Sequence, residues 1–390
     1  MPDSFLHGIE IVEVTDGARP VRTVRSSVIG VVGTAPDADA DKFPYNTPVL
    51  LAGQKSESAG IGATGTLPAA LDGIFDQAGA VVVMVRVEEG ADDAATLANV
   101  VGGVDGTTGA YQGVHAFLGA QSIVHQTPRI LIAPGFTHET AAVTELVSIA
   151  DRLRAVVIAD GPNTNDADVI TYRGNFASDR LYIVDPAVKV FDTVTKAEVI
   201  RPASDRVAGL LAKSDDERGF WWSPSNREIA GITGTARAVS WGHGDQNSRA
   251  NLLNEDEVAT IIHEKGYRLW GNRTCSTDPK CAFLSVRRTA DMIGDSIQAA
   301  HLWAVDRNIN RTYLEDVLES VNNYLSHLRA IGAIIDGKAW ADPALNTPDQ
   351  ISQGKVTIDF DFSANYPAEH LTFRSHLVDD YLNQVLPVAS

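Results

Sequence analysis

The segment whose residue types and spacing come closest to a chemical motif is Gly60-Ile61-Gly62-Ala63-Thr64-Gly65. It matches the G-x-G-x-x-G pattern of dinucleotide-binding loops, in which glycines let the backbone approach a pyrophosphate at the start of a helix. In such loops the first glycine turns directly out of a strand, whereas here the residues GQKSESA separate Gly60 from the apolar run VLLA. A single match in a chain with 32 glycines favours a plain glycine-rich loop. A dinucleotide-binding oxidoreductase that uses this loop is therefore kept only as the alternative function.

The other reactive side chains form no catalytic or metal-binding pattern. Cys275 and Cys281 lie in CSTDPKC, a spacing that matches no common zinc-ligand pattern, and no histidine is close to them in the sequence. The ten histidines include no H-E-x-x-H pair, and no serine occupies a G-x-S-x-G elbow. His243 and Asp245 could form a polar cluster, but an exposed glycine-rich loop is the simpler interpretation. We predict no catalytic residue, no cofactor and no metal, and therefore a protein that is not an enzyme.

The charge distribution disfavours nucleic acid as a partner. The formal net charge is −18, and phosphate binding needs clustered lysine and arginine. Residues 260–311 differ, with eight basic against five acidic side chains, so this basic stretch is either a solvated surface or a site for an acidic partner. Residues 88–113, which begin EEGADD, are predicted to form an exposed loop or a small excursion from the main fold. No secretory signal is recognisable at the N-terminus and no apolar run approaches the roughly 20 residues of a membrane helix, so we predict no membrane insertion.

The elements that must position these residues are predicted from the hydrophobic pattern. Within residues 27–235, β-branched runs such as SSVIGVV, AVVVMVRV and RAVVIAD alternate with helix-length segments. This alternation predicts a mostly parallel sheet that is covered by helices on both faces. Helices are predicted after residue 235: one capped by Asn254 that includes Val258 to Ile262, one over 288–304, and one from Thr312 to Gly332.

Strand-like segments near both ends of the chain have no evident partner in the sequence. The segment GIEIVEV alternates before a turn at DG, and KVTIDFDF alternates cleanly near the C-terminus. Terminal strands without internal partners are what strand addition between subunits requires, since backbone hydrogen bonds supply affinity at an open sheet edge. A head-to-tail contact that does not close into a ring generates a helix. The residues predicted to exchange between subunits are Ile9, Ile11, Val12, Val14, Val356, Ile358, Phe360, Phe362, Leu382, Val385, Leu386 and Val388.

Several segments, in order over nearly the whole chain, resemble the single-chain contractile tail sheath family of phages and R-type pyocins. They are SFLHGIEIVEVTDGARP, SSVIGVVGTAP, PRILIAPG, LRAVVIADGPN, GFWWSPSNREIAGITGT, ANLLNEDEVATII, GYRLWGNRT, HLWAVDRNINRTYLEDV and GKVTIDFDF. The resemblance implies a structural subunit that polymerises helically around a tail tube and contracts from a metastable extended state to drive the tube through the target envelope. Another structural protein, such as a tube or capsid subunit, is the remaining alternative.

The resemblance also implies the domain organisation and the partners. An α/β outer domain with a mostly parallel sheet and helices, residues 26–235, is expected on an α+β inner domain, residues 236–378, that contacts the tube. Residues 1–25 are expected to form an extended N-terminal arm and the start of the inner domain, and residues 379–390 a C-terminal arm. The implied partners are further copies of the chain, the tail tube protein, and baseplate and tail terminator proteins. The implied location is the bacterial host cytoplasm during assembly and then the virion or phage-tail-like particle. Within the basic stretch, the arginines predicted to face the tube are Arg287, Arg288, Arg307 and Arg311.

Overall fold

The computed structural model describes residues 20–193 and 195–385 of the chain. In chain order the strands are β1 Ile29–Thr34, β2 Pro48–Leu51, β3 Val82–Val87, β4 Gly103–Val104, β5 Tyr111–Gln112, β6 Ile130–Ile132, β7 Val156–Asp160, β8 Leu181–Val184, β9 Val188–Asp192, β10 Ala197–Arg201, β11 Gly234–Thr235, β12 Val258–His263, β13 Tyr267–Trp270, β14 Ile334–Trp340 and β15 Asp359–Ala364. The α-helices are α1 Leu67–Phe75, α2 Asp93–Val101, α3 Ala120–Val124, α4 Thr140–Leu153, α5 Asp166–Arg173, α6 Ser204–Arg218, α7 Arg249–Glu255, α8 Leu284–Ala300, α9 Arg311–Ala330 and α10 Pro348–Ser352. Short 3-10 helices occupy Lys55–Ser58, Gly113–Gly119, Pro279–Cys281, Leu302–Ala304 and Asp380–Val385.

Eight strands form one sheet in the order β13-β12-β8-β7-β6-β1-β3-β2. The six inner strands are mutually parallel, and β2 and β13 are antiparallel edge strands. Parallel strands that are covered on both faces need apolar side chains on both faces, and every residue of β1 and β3 is buried. The sheet is therefore the parallel, two-sided sheet that the apolar runs predict.

Alternate residues of these strands belong to two separate cores. Ile29 and Val31 pack with α1 and α6 on one face of the sheet. Val28 and Val32 pack with α4 and α5 on the other face. The period of two along each strand thus divides one apolar run between two helical layers.

The sheet extends well beyond residue 235. β12 continues it by pairing parallel with β8, with Val258 opposite Ile183. The predicted helix from Asn254 is wrong, because α7 ends at Glu255 and the following apolar run is a strand with only His263 exposed. The predicted domain boundary at 235 thus falls inside the sheet, and the sheet unit, as we call it, reaches Trp270.

A smaller unit, here called the ribbon unit, consists of α8, α9, β14 and β15. Its core contains apolar residues of both helices and of β14, joined by the partly buried Ile358 and Phe362. Helix α9 begins at Arg311, close to the predicted start, but its cap is Asn310, whose Oδ1 accepts a hydrogen bond from the Tyr313 N–H at 2.8 Å. Over residues 20–193 and 195–385, the helices are too short or too polar to cross a membrane.

Candidate functional site

The Gly60–Gly65 loop packs against the turn that follows β1. Gly60, Gly62 and Gly65 all have positive φ angles, which favour glycine. A Cβ on Gly62 would lie 2.6 Å from the Cβ of Asp37, and one on Gly65 would overlap the Thr34 carbonyl oxygen. The positive φ angles of all three glycines, together with close contacts within this chain at Gly62 and Gly65, therefore account for them, and the geometry lends no support to the dinucleotide-binding alternative.

The remaining candidate polar groups are dispersed. His243 and Asp245 are exposed in a turn, where Asp245 accepts a hydrogen bond from the Asn247 N–H at 3.0 Å. Cys275 is buried, and burial raises the pKa of its thiol to about 12, so the thiol stays protonated at neutral pH. Within the described part of the chain, no group of three or more His, Cys, Asp or Glu side chains could hold a metal ion.

The β14–β15 pair is a two-stranded ribbon with no further strand beside it among residues 20–193 and 195–385. Phe360 is exposed on β15, whereas Phe362 packs onto the core of the ribbon unit. Val356 and Ile358 precede the strand rather than belonging to it, which corrects the prediction of a continuous strand. The reason is Asn346, whose side chain accepts from the Thr357 N–H at 2.8 Å and donates to the Thr357 carbonyl at 2.9 Å.

The two edges of the ribbon differ in a way that the sequence pattern does not reveal. On β14, the amide of Asn322 from α9 bonds both the N–H and the carbonyl of Ala339, at 2.8 and 3.1 Å. These backbone groups are satisfied as they would be by a neighbouring strand. The edge of β15 is therefore the better place for strand addition.

The segment after β15 is exposed and lacks regular secondary structure. Residues 365–378 form no helix or strand. Three of their apolar side chains are exposed to solvent: Leu371 by 71%, Phe373 by 86% and Leu377 by 100%. The predicted C-terminal strand is absent up to Val385, because Asp380–Val385, which contains Leu382, is a 3-10 helix. A strand needs a partner, and this segment has none within the described chain. Regular secondary structure thus ends at Ala364, before the predicted start of the arm at residue 379, and resumes only with the 3-10 helix Asp380–Val385. The predicted residues Ile9, Ile11, Val12, Val14, Leu386 and Val388 lie outside the described residues.

The four arginines predicted to face a tube divide into two pairs. Arg288 is only 2% exposed, and both its terminal nitrogens pair with Asp215 of α6. Arg287 pairs with Asp179 at 3.1 Å and with Asp291 at 2.9 Å. Arg288 is therefore buried within the chain, and Arg287 is paired with two of the chain's own carboxylates, which disfavours contact of either residue with a tube. Arg307 and Arg311 are exposed.

Helix α8 is joined to the sheet unit by ion pairs along its length. Besides the Arg288 pair, Asp291 accepts two hydrogen bonds from Arg180, at 2.6 and 3.0 Å. One turn further on, Asp295 pairs with Arg129 and Arg154, each at 2.6 Å. Burial would lower the pKa of Arg180, but the hydrogen bonds and charge of Asp291 raise it overall. Charged residues in α8 thus hold the two units together.

Comparison with known proteins identifies the family. Residues 109–275 match the family model described as phage tail sheath protein central domain, and residues 276–377 match the phage tail sheath C-terminal domain. Residues 26–87 match the tail sheath protein Gp18 domain III N-terminal region. The chain is 44% identical over 387 residues to a protein named as a prophage major tail sheath protein of Pseudomonas aeruginosa, covering 99% of this chain and 100% of that one.

This chain belongs to the phage tail sheath family. It is also 38% identical to the tail sheath protein of Escherichia phage P2, over 97% of each chain. The fold is similar to that of the contracted helical sheath of the anti-feeding prophage, with a TM-score of 0.73 and 21% identity over 97% of this chain and 100% of that chain. The predicted family and the predicted role as a tail sheath protein of a contractile system are confirmed. The boundary between the two family models, at 275/276, lies just after the last strand of the sheet unit.

Proposed function

We propose that this tail sheath subunit polymerises helically around a tail tube by exchanging terminal strands, and that the polymer contracts from a metastable extended state to drive the tube through an envelope. The observation that supports this most directly is the combination of an unpaired β15 edge with an exposed apolar segment that follows it. An apolar extended segment is unfavourable in water, and an unpaired edge offers backbone hydrogen bonds. Each chain therefore has one half of a contact that a second copy can complete.

In this proposal the sheet unit is the outer domain and the ribbon unit is the inner domain. The N-terminal arm, with Ile9, Ile11, Val12 and Val14, and the C-terminal arm add strands to ribbons of neighbouring subunits. The contact is head-to-tail, so it continues as an open helix instead of closing into a ring. Baseplate and terminator proteins would then bind the subunits at the two ends, whose arms or edges lack a neighbour. Assembly in the bacterial cytoplasm precedes incorporation into the particle.

The proposed tube-facing surface is the 3-10 turn before α9 and the first turn of that helix. Leu302 and Val305 are 77% and 61% exposed, and Arg307 stacks over the ring of Trp303 at 5.0 Å. Arg311 projects into solvent, with 91% of its side chain exposed and only Glu315 as an ion-pair partner among the described residues. An exposed apolar pair beside two accessible cations suits an acidic protein surface.

Truncation tests the strand-exchange proposal. Deletion of residues 371–390 keeps β15 and the contact between Arg273 and Glu369, so the subunit should fold. We expect electron microscopy to show striated hollow cylinders for the full chain and isolated subunits for the truncated one, with equal melting temperatures. Deletion of residues 1–14 should have the same effect.

A matched control separates loss of the arm from a general loss of solubility. The double change Leu371→Ser and Phe373→Ser keeps the backbone of the arm but removes its two apolar side chains. We expect it to raise the concentration needed for polymerisation without abolishing cylinders, since backbone pairing remains. Long ordered cylinders from either truncated protein would contradict the exchange of strands.

A further inference from the structure

The two ends of the parallel sheet differ in charge. At the carboxyl ends of β1 and β3, where Thr34 lies opposite Val87, the chain continues into two acidic segments. The carboxylates at this edge are Asp37, Asp39, Asp41, Glu88, Glu89, Asp92 and Asp93. All of them are exposed, and none forms an ion pair with another side chain of residues 20–193 or 195–385. We call the second of these segments, residues 88–93, the acidic loop.

The opposite edge of the same sheet is a basic groove. Strands β1, β6 and β7 begin in register, and the residues just before them line a groove of about 900 Å³ at the junction of the two units. Its charged lining consists of Arg25, Arg129, Arg152, Arg154, Asp151 and Asp295. Four arginines against two aspartates leave this groove positive in a chain whose net charge is −18.

The positive excess of the groove is accessible. Both aspartates are already paired, Asp295 with Arg129 and Arg154, and Asp151 with Arg180 at 2.8 Å. By contrast, Arg25 and Arg152 are exposed and form no ion pair with any side chain that the structure describes.

Helix structure explains the position of only one of these two arginines. Arg152 lies in the last turn of α4, where a cation is favourable in any case, but Arg25 lies on no helix. Burial lowers the pKa of Arg129 even though Asp295 acts in the opposite direction. The groove is therefore suited to additional carboxylates from outside the chain.

We propose that the basic groove of one subunit binds the acidic loop of a second copy of this chain. The two surfaces lie at opposite ends of β1, whose six residues separate them by about 17 Å at roughly 3.3 Å per residue. Neither surface is complementary to itself, so the contact is head-to-tail and propagates as a helix, in the same manner as the proposed strand exchange. The inference rests on the proposed function, and it adds a second, electrostatic contact between subunits.

Charge reversal with compensation tests this contact in the full-length protein. The variants are Arg25→Glu with Arg152→Glu, Glu88→Lys with Glu89→Lys, and the combination of all four. We expect each pair alone to raise the subunit concentration needed for cylinders about tenfold, which corresponds to about 1.4 kcal/mol. The fourfold variant should return close to the wild-type concentration, because its groove is acidic and its loop is basic. The wild-type dependence on salt should also be steeper than that of either pair variant.

The matched control is Lys265→Glu with Lys280→Glu. Both lysines are exposed, both lie outside the groove, and the change in net charge equals that of the arginine pair. We expect this control to polymerise like the wild type. If it raises the required concentration as much as the arginine pair does, net charge rather than the groove is responsible and the proposal is wrong.

Cross-linking provides a direct readout of the contact. In a Cys281→Ser background, Arg152→Cys together with Glu89→Cys should give disulfide-linked dimers and a ladder of higher species on mild oxidation, and each single cysteine should not. Wild-type levels of polymerisation in both pair variants, or no ladder in cylinders that form normally, would overturn the groove contact. If the groove contact is refuted in this way but cylinders still form, the proposed sheath function is unaffected. Failure of the groove contact is therefore distinguishable from failure of the proposed function.

Discussion

Removing the charge of Arg288 tests whether this residue is structural or faces a partner. Its Nη1 lies 2.7 Å from Asp215 Oδ1, its Nη2 pairs with Asp215 Oδ2, and Nη2 also donates to the Ser26 carbonyl at 3.2 Å. The hydroxyl of Ser26 donates to the same carboxylate at 2.7 Å. One buried arginine thus joins α8, α6 and the segment that leads into β1.

The expected magnitude follows from what the Arg288→Met change leaves behind. Asp215, whose side chain is 1% exposed, would retain only Ser26 as a side-chain partner in the part of the chain that the structure describes. Removing one member of a buried pair typically destabilises a protein by about 3–5 kcal/mol, because the other charge stays buried and uncompensated. Replacing both residues, with Arg288→Met and Asp215→Leu, should recover most of this loss, since an apolar pair leaves no uncompensated charge.

Urea denaturation of the dispersed subunit measures these differences in the free energy of unfolding. Arg311→Met is the matched control, because the Arg311 side chain is 91% exposed and its loss should leave the free energy of unfolding nearly unchanged. The opposite pattern would refute the reasoning: an Arg288→Met subunit that unfolds like the wild type but no longer binds tubes would mean that Arg288 faces the tube after all.

Three further predictions concern stability and can be checked by the same urea titrations. Burial raises the pKa of Asp205 to about 7, so the folded state favours the protonated carboxyl. The stability that this protonation contributes is lost as pH rises from about 4 through 7, and the free energy of unfolding of Asp205→Asn relative to wild type should therefore increase over that range. A flat difference would contradict this. Gly65→Ala should lower the free energy of unfolding by more than about 1 kcal/mol, because the alanine would be strained at a positive φ and its Cβ would overlap Thr34. Gly109→Ala is the control and should lower it less, because Gly109 also has a positive φ but its Cβ would meet no other atom. Asn322→Ala should destabilise by about 1–3 kcal/mol by leaving two backbone groups of β14 unpaired, and equal stability would mean that water replaces the amide.

The core of the sheet unit could be predicted from the sequence because its signal is local. Runs such as AVVVMVRV are apolar at consecutive positions and rich in β-branched valine, as strands covered on both faces are. The run at Val258 to Ile262 shows the limit of this method. Val258, Ile261 and Ile262 also fit the spacing of a helical face, and a short apolar run does not distinguish a buried strand from a helix. The deciding interaction is the pairing of β12 with β8, about 75 residues earlier in the chain, which no local pattern encodes.

The candidate site was harder to predict, because identical side chains have different partners. Arg287 and Arg288 have the same chemistry as Arg307 and Arg311 and share the same basic stretch. Their roles are decided by Asp179 and Asp215, which lie more than 70 residues away in sequence. Charge counting therefore located a basic stretch but could not separate a surface cation from a buried one.

The distribution of these contacts limits where the subunit can bend when a sheath contracts. Separating α8 from the sheet unit would expose or unpair the charges of Arg288, Asp291 and Asp295, and each buried pair broken by loss of a partner costs several kcal/mol. The C-terminal arm is held far more weakly. Among the described residues its last ion pair is Arg273 with Glu369, both partly exposed, and such a pair contributes about 1 kcal/mol or less. We therefore predict that the arms accommodate a displacement of neighbouring subunits at the lowest free energy, while the sheet unit and ribbon unit move together as one body.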